Sequence, residues 1–261
     1  MMMRMNERTD QKLNIDSRYP YVYETHLHTS QSSACARAAG KEMARACYEA
    51  GYTGIMVTDH FFYGNNCVDR SLPWSDWVER FCKGYEDAKA EGDRIGLSVF
   101  FGWEANYDGT EFLIYGLDKD WLLEHPEIRD ATIEEQYRLV SGAGGLVVHC
   151  HPYRDEAYIP AIRVFPDFTD AVEGVNATHA CKKSRGHNNP LFDVRAREYA
   201  AGFGLPMTAG SDIHGTDLLF GGIACADKLC DVHDYVRLMK SVRGVPAEAY
   251  PYKLLDGNES C

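Results

Sequence analysis

The sequence has no run of about 18 apolar residues, the length that a helix needs to cross a bilayer. It has no CxxC pair either, although nine cysteines are scattered from Cys35 to Cys261. An odd number of dispersed cysteines in a chain of this length is typical of reduced, mostly buried thiols and not of a disulfide framework. The N-terminus also lacks the apolar core of a signal peptide. These absences predict a cytoplasmic protein with no membrane partner.

Basic residues are in short supply. The chain has 27 lysines and arginines against 39 aspartates and glutamates, a formal net charge of -12. A protein that grips duplex nucleic acid through its phosphates needs the opposite balance, so the sequence excludes non-specific duplex binding. An acidic surface also repels anionic ligands at long range. A phosphate-binding site in this chain would therefore need a strong local positive field, which bound metal ions could supply.

Short β-rich runs alternate with helical segments after a polar leader at residues 1–18. This alternation predicts an α/β fold with a largely parallel sheet, either a closed or distorted barrel or an open sheet. No proline-rich linker or short repeat divides the chain, so we expect residues 19–261 to form one domain. The predicted strands are Tyr21–Thr25, Gly54–Thr58, Leu97–Trp103, Phe112–Tyr115, Leu146–His149, Ala171–Val175, Pro206–Ala209 and Gly222–Ala226.

The helical segments carry recognisable start and stop signals. Thr132 and Glu135 have the spacing of a capping box, which favours a helix start at that point. Gly51, Gly92 and Gly202 stand where C-terminal stops are expected. The predicted helices are Lys41–Ala50, Ser75–Glu91, Thr132–Ser141, Pro190–Ala201 and Val232–Val242.

Histidines and carboxylates gather at the ends of the predicted strands. His26 and His28 follow the first strand, and because alternate residues of a strand point to the same side, both imidazoles can reach one ion. The C-terminal strand ends of a barrel or parallel sheet lie on one side and carry the active site. The other strand ends supply Asp59, His60, Glu104, His149, His151, His179, Asp212 and His214.

This combination of residues predicts a metal site. Imidazole and carboxylate ligands suit zinc, manganese or iron. A single histidine after a strand is often an ordinary core or loop residue, and we place His125 and His233 in that class. These candidate ligands are more than one ion can use, so we expect two or three divalent ions. Closely spaced ions clamp a phosphoryl group and activate a water as the nucleophile.

The ordered motifs resemble those of the PHP (polymerase and histidinol phosphatase) superfamily. The resemblance covers roughly residues 20 to 245 and is specific because five motifs occur in the family's order. It implies a distorted (β/α)7 barrel that holds up to three divalent ions and hydrolyses phosphate esters. The motifs are His26-Leu27-His28-Thr29, Thr58-Asp59-His60, the single Glu104, His151-Pro152 and Ser211-Asp212-Ile213-His214-Gly215.

The same resemblance implies a role for each residue. Arg154, three residues after His151, is similar to the family's basic residue that receives the substrate phosphate. Glu104 would bridge the first two ions. The implied ligands are His26, His28, Glu104 and Asp212 for the first ion, Glu104, His151 and His179 for the second, and His60 and His214 for the third.

The chain departs from the family pattern after His28. The family often places a further histidine or aspartate five or six residues later, where this sequence has Ser33 and Ala34. The third site would then need glutamate or water to complete it.

Two choices of ligand also stay open. His149 shares the predicted strand face with His151 and could replace or support it, although we prefer His151. His187 is the alternative to His179, which we prefer because it follows a strand end directly.

The sequence therefore predicts hydrolysis of a small phosphomonoester or phosphodiester by metal-activated hydroxide, with Arg154 binding the phosphate. Asp59 would orient a ligand histidine, or else only cap loop backbone. An amidohydrolase acting on C–N bonds is the alternative enzyme, and a metal-binding module without turnover is the alternative outside enzymes. Serine or cysteine nucleophile chemistry is disfavoured, since no GxSxG motif occurs and Cys150 should face away from its histidine neighbours.

Aromatic residues follow the second predicted strand on the side of the expected site. Tyr63, Trp74 and Trp77 could stack on a nucleobase, or they could simply belong to the core. A nucleotide is for this reason one candidate among small phosphorylated substrates. The sequence leaves the oligomeric state open.

Overall fold

A computed structural model describes residues 12–182, 184 and 187–257 of the chain. Most of the expected leader, residues 1–11, lies outside the described residues. The strands are β1 Tyr21–Leu27, β2 Gly54–Val57, β3 Ser98–Tyr107, β4 Thr110–Tyr115, β5 Leu146–Cys150, β6 Ala171–Asn176, β7 Met207–Gly210, β8 Gly221–Cys225 and β9 Tyr252–Asp256. The α-helices are α1 Gly40–Ala50, α2 Trp74–Phe81, α3 Lys83–Ile95, α4 Lys119–Glu124, α5 Ile133–Gly142, α6 Ala177–Ala180, α7 Leu191–Phe203 and α8 Val232–Ser241.

The strands form one sheet that curls into a nearly closed barrel. Their order is β7-β6-β5-β4-β3-β2-β1-β8-β9, so β1 to β7 are neighbours in chain order. The barrel closes where the segment after β7 meets β1: the His28 amide donates to the Ile213 carbonyl at 2.9 Å. The Thr25 hydroxyl also donates to the Ala209 carbonyl at 2.7 Å. The predicted α/β barrel is thus confirmed, with β8 and β9 added beside β1.

The sheet is largely parallel in strand direction, with two exceptions. β4 pairs antiparallel with β3 and β5, and β8 pairs antiparallel with β1 and β9. The remaining pairs are parallel. β1, β2, β3, β5, β6 and β7 therefore run the same way, and their C-terminal ends lie on one side of the barrel. Among the described residues, none of the helices is long and apolar enough to cross a membrane.

Most predicted helices are present, but some of their ends lie elsewhere. The capping box at Thr132 is confirmed. Its hydroxyl accepts a hydrogen bond from the Glu135 amide in the first turn of α5. Gly92 does not end a helix: it lies buried inside α3, where a side chain would collide with Val99 of β3. Gly202 likewise lies inside α7. The helices end instead at Gly96 and Gly204, which adopt the left-handed conformation with φ of 86° and 61°.

The structure departs from the sequence-based expectation at four places. The helix expected over 75–91 is two helices, α2 and α3, which meet at Cys82. α4, β9 and the single turn α6 were not predicted. α4 is only six residues long, too short to show a helical period, and β9 is only partly buried, so its apolar signal is weak.

The contact between α1 and α3 depends on glycine. A side chain at Gly40 would collide with the Gly84 carbonyl and the Ala88 amide of α3. We expect Gly40→Ala to destabilise the protein by about 1–3 kcal/mol, because overpacked contacts force the backbone apart. Gly142→Ala is the matched control, since a side chain there meets nothing within 4 Å. Thermal unfolding should show a lower Tm only for Gly40→Ala, and equal Tm values would contradict this account of the contact.

Candidate metal centre

Five strands bring polar side chains to one place on the barrel. His26 lies at the end of β1, with His28 just beyond it, and His60 follows β2. Glu104 lies within β3, opposite His60, with which it forms an isolated parallel bridge. His151 follows β5 directly, and Asp212 follows β7. All of these side chains are buried, with exposures of 8% or less.

Glu104 lies at the centre of the group. One carboxylate oxygen, Oε1, lies 3.3 Å from His26 Nε2 and 3.1 Å from His151 Nε2. The other, Oε2, lies 3.7 Å from His28 Nε2 and 2.5 Å from His60 Nδ1. Burial opposes ionisation, but the neighbouring His60 and His26 hold the pKa of Glu104 well below its usual range. A single ionised carboxylate therefore faces four imidazoles that come from the ends of three strands, β1, β2 and β5.

Asp212 is the second central carboxylate. Its Oδ1 lies 3.1 Å from His28 Nε2 and 3.5 Å from His26 Nε2, while Oδ2 pairs with Arg154 Nη2 at 2.8 Å. Asp212 has a φ of 54°, in the left-handed region that costs a non-glycine residue about 1–3 kcal/mol. His214 lies beside it, with its ring stacked on His28 at a centroid distance of 4.3 Å.

Carboxylates outside the cluster orient the rings of His26 and His179. Glu173 Oε1 lies 2.9 Å from His26 Nδ1, and Asp193 Oδ1 lies 2.6 Å from His179 Nδ1. Metal-binding histidines commonly use the second ring nitrogen in this way, which fixes the ring and leaves Nε2 for the ion.

Asp59 reaches His28 through Ser33. The Ser33 hydroxyl donates to Asp59 Oδ1 at 2.7 Å and lies 3.2 Å from His28 Nδ1. Asp59 also accepts from the amide and the hydroxyl of Thr29, each at 2.6 Å. The structure thus places Asp59 in both predicted positions, behind a candidate ligand and at the loop backbone.

Glu173→Gln offers a test of ring orientation. The amide keeps the size of the side chain but weakens the bond to His26 Nδ1, so the affinity for divalent metal should fall about 10–100-fold. Titration of metal-free protein with Zn²⁺ measures the change. Glu198→Gln on the exposed face of α7 is the control. Unchanged affinity in Glu173→Gln would show that this bond does not prepare the ring.

The centre contains buried polar atoms that lack a well-formed hydrogen bond. In the described part of the chain, His26 Nε2, His28 Nε2, His60 Nδ1 and Glu104 Oε2 form no hydrogen bond of normal geometry, although each lies within 4 Å of an oppositely charged or polar atom of the cluster. Leaving one buried polar atom unpaired costs roughly 1–3 kcal/mol. Four such atoms in mutual contact indicate a site that binds a cation, and imidazole with carboxylate is a donor set for a divalent metal. The residues present therefore fit the predicted kind of cofactor.

Groups of three candidate ligand atoms, all within 4.8 Å of one another, recur around Glu104. They contain seven of the eight predicted ligands and overlap, so that several residues face more than one possible ion. The groups are His26, His28 and Glu104; His26, His151 and Asp212; His28, His60 and His214; Glu104, Cys150 and His151; and His60, Glu104 and Glu111.

His151, and not His149, lies at the centre. His149 packs against Phe112 at a ring distance of 4.7 Å, and its burial lowers its pKa to about 3. The expectation that both histidines share a strand face was wrong because β5 ends at Cys150 and His151 turns away with a φ of 31°. The expectation for Cys150 was wrong for the same reason: its thiol points to Glu104 Oε1 at 3.4 Å.

His179 lies beside the cluster but is not in contact with Glu104. Its Nε2 accepts a hydrogen bond from Arg154 Nε at 3.3 Å, so Arg154 stands between His179 and Asp212. His187 is half-buried, and its Nδ1 lies 3.3 Å from Glu156. Of the two alternatives, His179 is the one that the structure brings next to the site.

Besides Glu173 and Asp193, the structure brings Glu111 and Cys35 to the site, and neither was predicted from the sequence. Glu111 of β4 is buried, with Oε2 3.7 Å from His151 Nε2, and burial together with nearby Glu104 raises its pKa to about 7. Strand alternation with Leu113 and Tyr115 could have revealed it. Cys35 lies 3.3 Å from His60 Nε2. Partial desolvation opposes ionisation of its thiol, but the neighbouring His214 and His60 lower its pKa to about 6.

The aromatic residues after β2 belong mainly to the core. Trp77 is fully buried and stacks on Trp74 and Phe81 at ring distances of 5.4 and 4.8 Å. The Trp74 indole donates to the Leu122 carbonyl. Only Tyr63 is well exposed, and its hydroxyl donates to Asp130. Trp77 is therefore not available to stack on a nucleobase.

Comparison with known proteins adds a finding at the level of the fold. No protein-family model matches the sequence, and no curated protein is similar to it. A solved two-domain protein from Bacteroides vulgatus ATCC 8482, which contains a predicted PHP-like metal-dependent phosphoesterase, superposes with a TM-score of 0.64. It is 15% identical, and the match covers 93% of this chain and 68% of that one. The chain therefore shares its fold with that protein.

Two further solved structures share this fold. One, from Bifidobacterium adolescentis ATCC 15703, is predicted to be a metal-dependent phosphoesterase; its TM-score is 0.53 at 18% identity, over 86% of this chain and 96% of that one. The other is an amidohydrolase from Chromobacterium violaceum with bound sulfate and no metal; its TM-score is 0.51 at 15% identity, over 74% and 87%. The resemblance seen in the motifs is thus confirmed for the fold.

Proposed function

We propose that this chain is a metal-dependent hydrolase of small phosphate esters. The observation that carries the proposal is the position of the Glu104 carboxylate. Each of its two oxygens lies within 4 Å of two imidazoles, so that the carboxylate contacts four in all. A carboxylate with ligands on both sides is suited to bridging two ions. Paired ions are a recurring device for displacement at phosphorus.

The contacts support the ligand sets that the motif resemblance implies, although His179 now bonds to Arg154. His26, His28 and Asp212 would hold the first ion together with Glu104. His151 would hold the second ion, again with Glu104, and His179 would join it once Arg154 releases its Nε2. His60 and His214 would hold a third. Bound divalent ions of this kind lower the pKa of a coordinated water and neutralise phosphate oxygens.

Arg154 supplies the fixed positive charge for the substrate. It is buried and pairs with Asp212, which holds its guanidinium at the edge of the cluster. The planar guanidinium donates two parallel hydrogen bonds to a phosphate, which orients the ester. This local charge is needed because the chain as a whole carries a net charge of -12.

Asp59 contributes by orientation. Through Ser33 it fixes the His28 ring, and through Thr29 it fixes the backbone that follows His28. Both Asp59 oxygens already accept hydrogen bonds from Thr29 or Ser33. Asp59 would therefore act by positioning His28 and would not itself contact the substrate.

The test is a panel of substrates. Metal-free protein receives Mn²⁺ or Zn²⁺ and is offered phosphomonoesters, phosphodiesters and amides under identical conditions. We expect turnover of phosphate esters and none of amides. Turnover of amides alone would replace the proposal with an amidohydrolase, which the fold also allows. Metal binding with no turnover of any substrate would favour a binding module without catalysis.

A further inference from the structure

Three histidines near Glu104, namely His28, His60 and His214, form a group of neighbouring rings. The ring centroids of His28 and His60 are 4.3 Å apart, those of His28 and His214 are also 4.3 Å apart, and those of His60 and His214 are 5.8 Å apart. His28 is fully buried, and in the described part of the chain its Nε2 forms no hydrogen bond of normal geometry, although Asp212 Oδ1 lies 3.1 Å away. The group has three nitrogen donors but lacks the side chain that the family's spacing would place at Ser33 or Ala34.

Ser33 and Ala34 do not supply that donor. The Ser33 hydroxyl is engaged by Asp59 at 2.7 Å and by the His60 amide at 3.0 Å. Ala34 has no donor atom, and its amide is bonded to the Asn65 carbonyl at 2.8 Å. The next residue along the chain is the one whose side chain contacts the histidines.

That residue is Cys35. Its sulfur lies 3.3 Å from His60 Nε2, and the ring centroids of His60 and His214 are 5.8 Å apart. The backbone is anchored on both sides of it, by the Ala34 amide and by the Arg37 amide, which donates to the His214 carbonyl at 2.7 Å. The same loop segment thus ties Cys35 to the strand end that carries His214.

We propose that Cys35 is a metal ligand that completes the third site with His60 and His214, next to His28. This inference rests on the proposed metal centre and adds a thiolate to it. On binding, the thiol would lose its proton to solvent and the sulfur would bond to the ion. Sulfur ligands favour zinc, cobalt or iron over magnesium and calcium, so the third site would differ in metal preference from the sites that contain carboxylates.

Cobalt substitution tests this inference without any measurement of turnover. Co²⁺ bound to a thiolate absorbs in the near ultraviolet through sulfur-to-metal charge transfer, whereas nitrogen and oxygen ligands alone do not produce that band. The full-length protein, freed of metal and loaded with Co²⁺, should show the band. Cys35→Ala should lose it and should bind about one ion fewer per chain in metal analysis.

Two control variants identify the sulfur. Cys150→Ala removes the other thiol near the centre, which lies 3.4 Å from Glu104, and Cys67→Ala removes an exposed thiol of a neighbouring loop. Both should keep the band. Circular dichroism on Cys35→Ala should show an unchanged fold, since the residue is exposed.

The outcomes separate this inference from the proposed function. A band that persists in Cys35→Ala, or one that disappears in Cys150→Ala, would overturn the assignment of Cys35. A wild-type protein that binds metal and hydrolyses phosphate esters but never shows the band would overturn the third-site ligand alone. A wild-type protein that binds no divalent ion would overturn both.

Discussion

Glu104→Gln is expected to lose bound metal and activity together. Glutamine keeps the size of the side chain, but its amide nitrogen cannot bind an ion and would face two of the four imidazoles as a donor. Because the carboxylate contacts His26, His28, His60 and His151, the change should weaken two ions at once. Metal affinity should fall by more than the roughly 10–100-fold typical of supporting residues. Turnover of phosphate esters should fall about 10³-fold, roughly 4 kcal/mol in the barrier.

The control for this variant is Glu91→Gln. Glu91 is also buried, but it pairs with Arg45 and Arg94 at the helices and has no contact with the cluster. Metal content and kcat should stay at the wild-type level in this control. Wild-type turnover by Glu104→Gln at limiting metal would contradict the bridging role.

Arg154→Lys should have the second largest effect. Lysine keeps the charge but loses the planar fork, so one of the two hydrogen bonds to a phosphate disappears. We expect kcat/KM for phosphate esters to fall about 10²–10³-fold, the usual cost of removing a preorganised donor to developing charge. Inhibition by inorganic phosphate should weaken in the same variant. Bound metal should stay unchanged, because a cation still pairs with Asp212.

A surface arginine provides the comparison. Arg129→Lys changes a half-exposed side chain that pairs with Asp130 and should leave both kinetic parameters unchanged. If Arg154→Lys retained wild-type KM and wild-type inhibition by phosphate, then the guanidinium would not be the phosphate-binding group.

Much of the site could be predicted from the sequence because the ligands follow parallel strands. The end of a parallel strand fixes where the next side chain points, so His26, His60, Glu104 and Asp212 fall on one side of the barrel regardless of the loops between them. The predicted α/β barrel follows from the same alternation of strands and helices. Neither prediction requires knowledge of which strands pair over long distances in the chain.

The residues that escaped prediction depend on pairing that local sequence does not record. Glu111 belongs to β4, which runs antiparallel between β3 and β5, so its N-terminal end and not its C-terminal end faces the site. Glu173 lies within β6 and reaches His26 only across the barrel. Cys35 depends on a loop that folds back onto His214. The misplaced His149 has a local cause, since the positive φ of His151 breaks the strand alternation.

The most direct test measures metal and turnover in the same sample. Protein freed of metal by a chelator is titrated with Mn²⁺ or Zn²⁺, while bound ions and the hydrolysis of a phosphomonoester and a phosphodiester are recorded at each step. We expect no hydrolysis without metal. As the sites fill, the hydrolysis of at least one of the two esters should rise. Equal hydrolysis by the metal-free protein, or no hydrolysis of either ester at full occupancy, would contradict it.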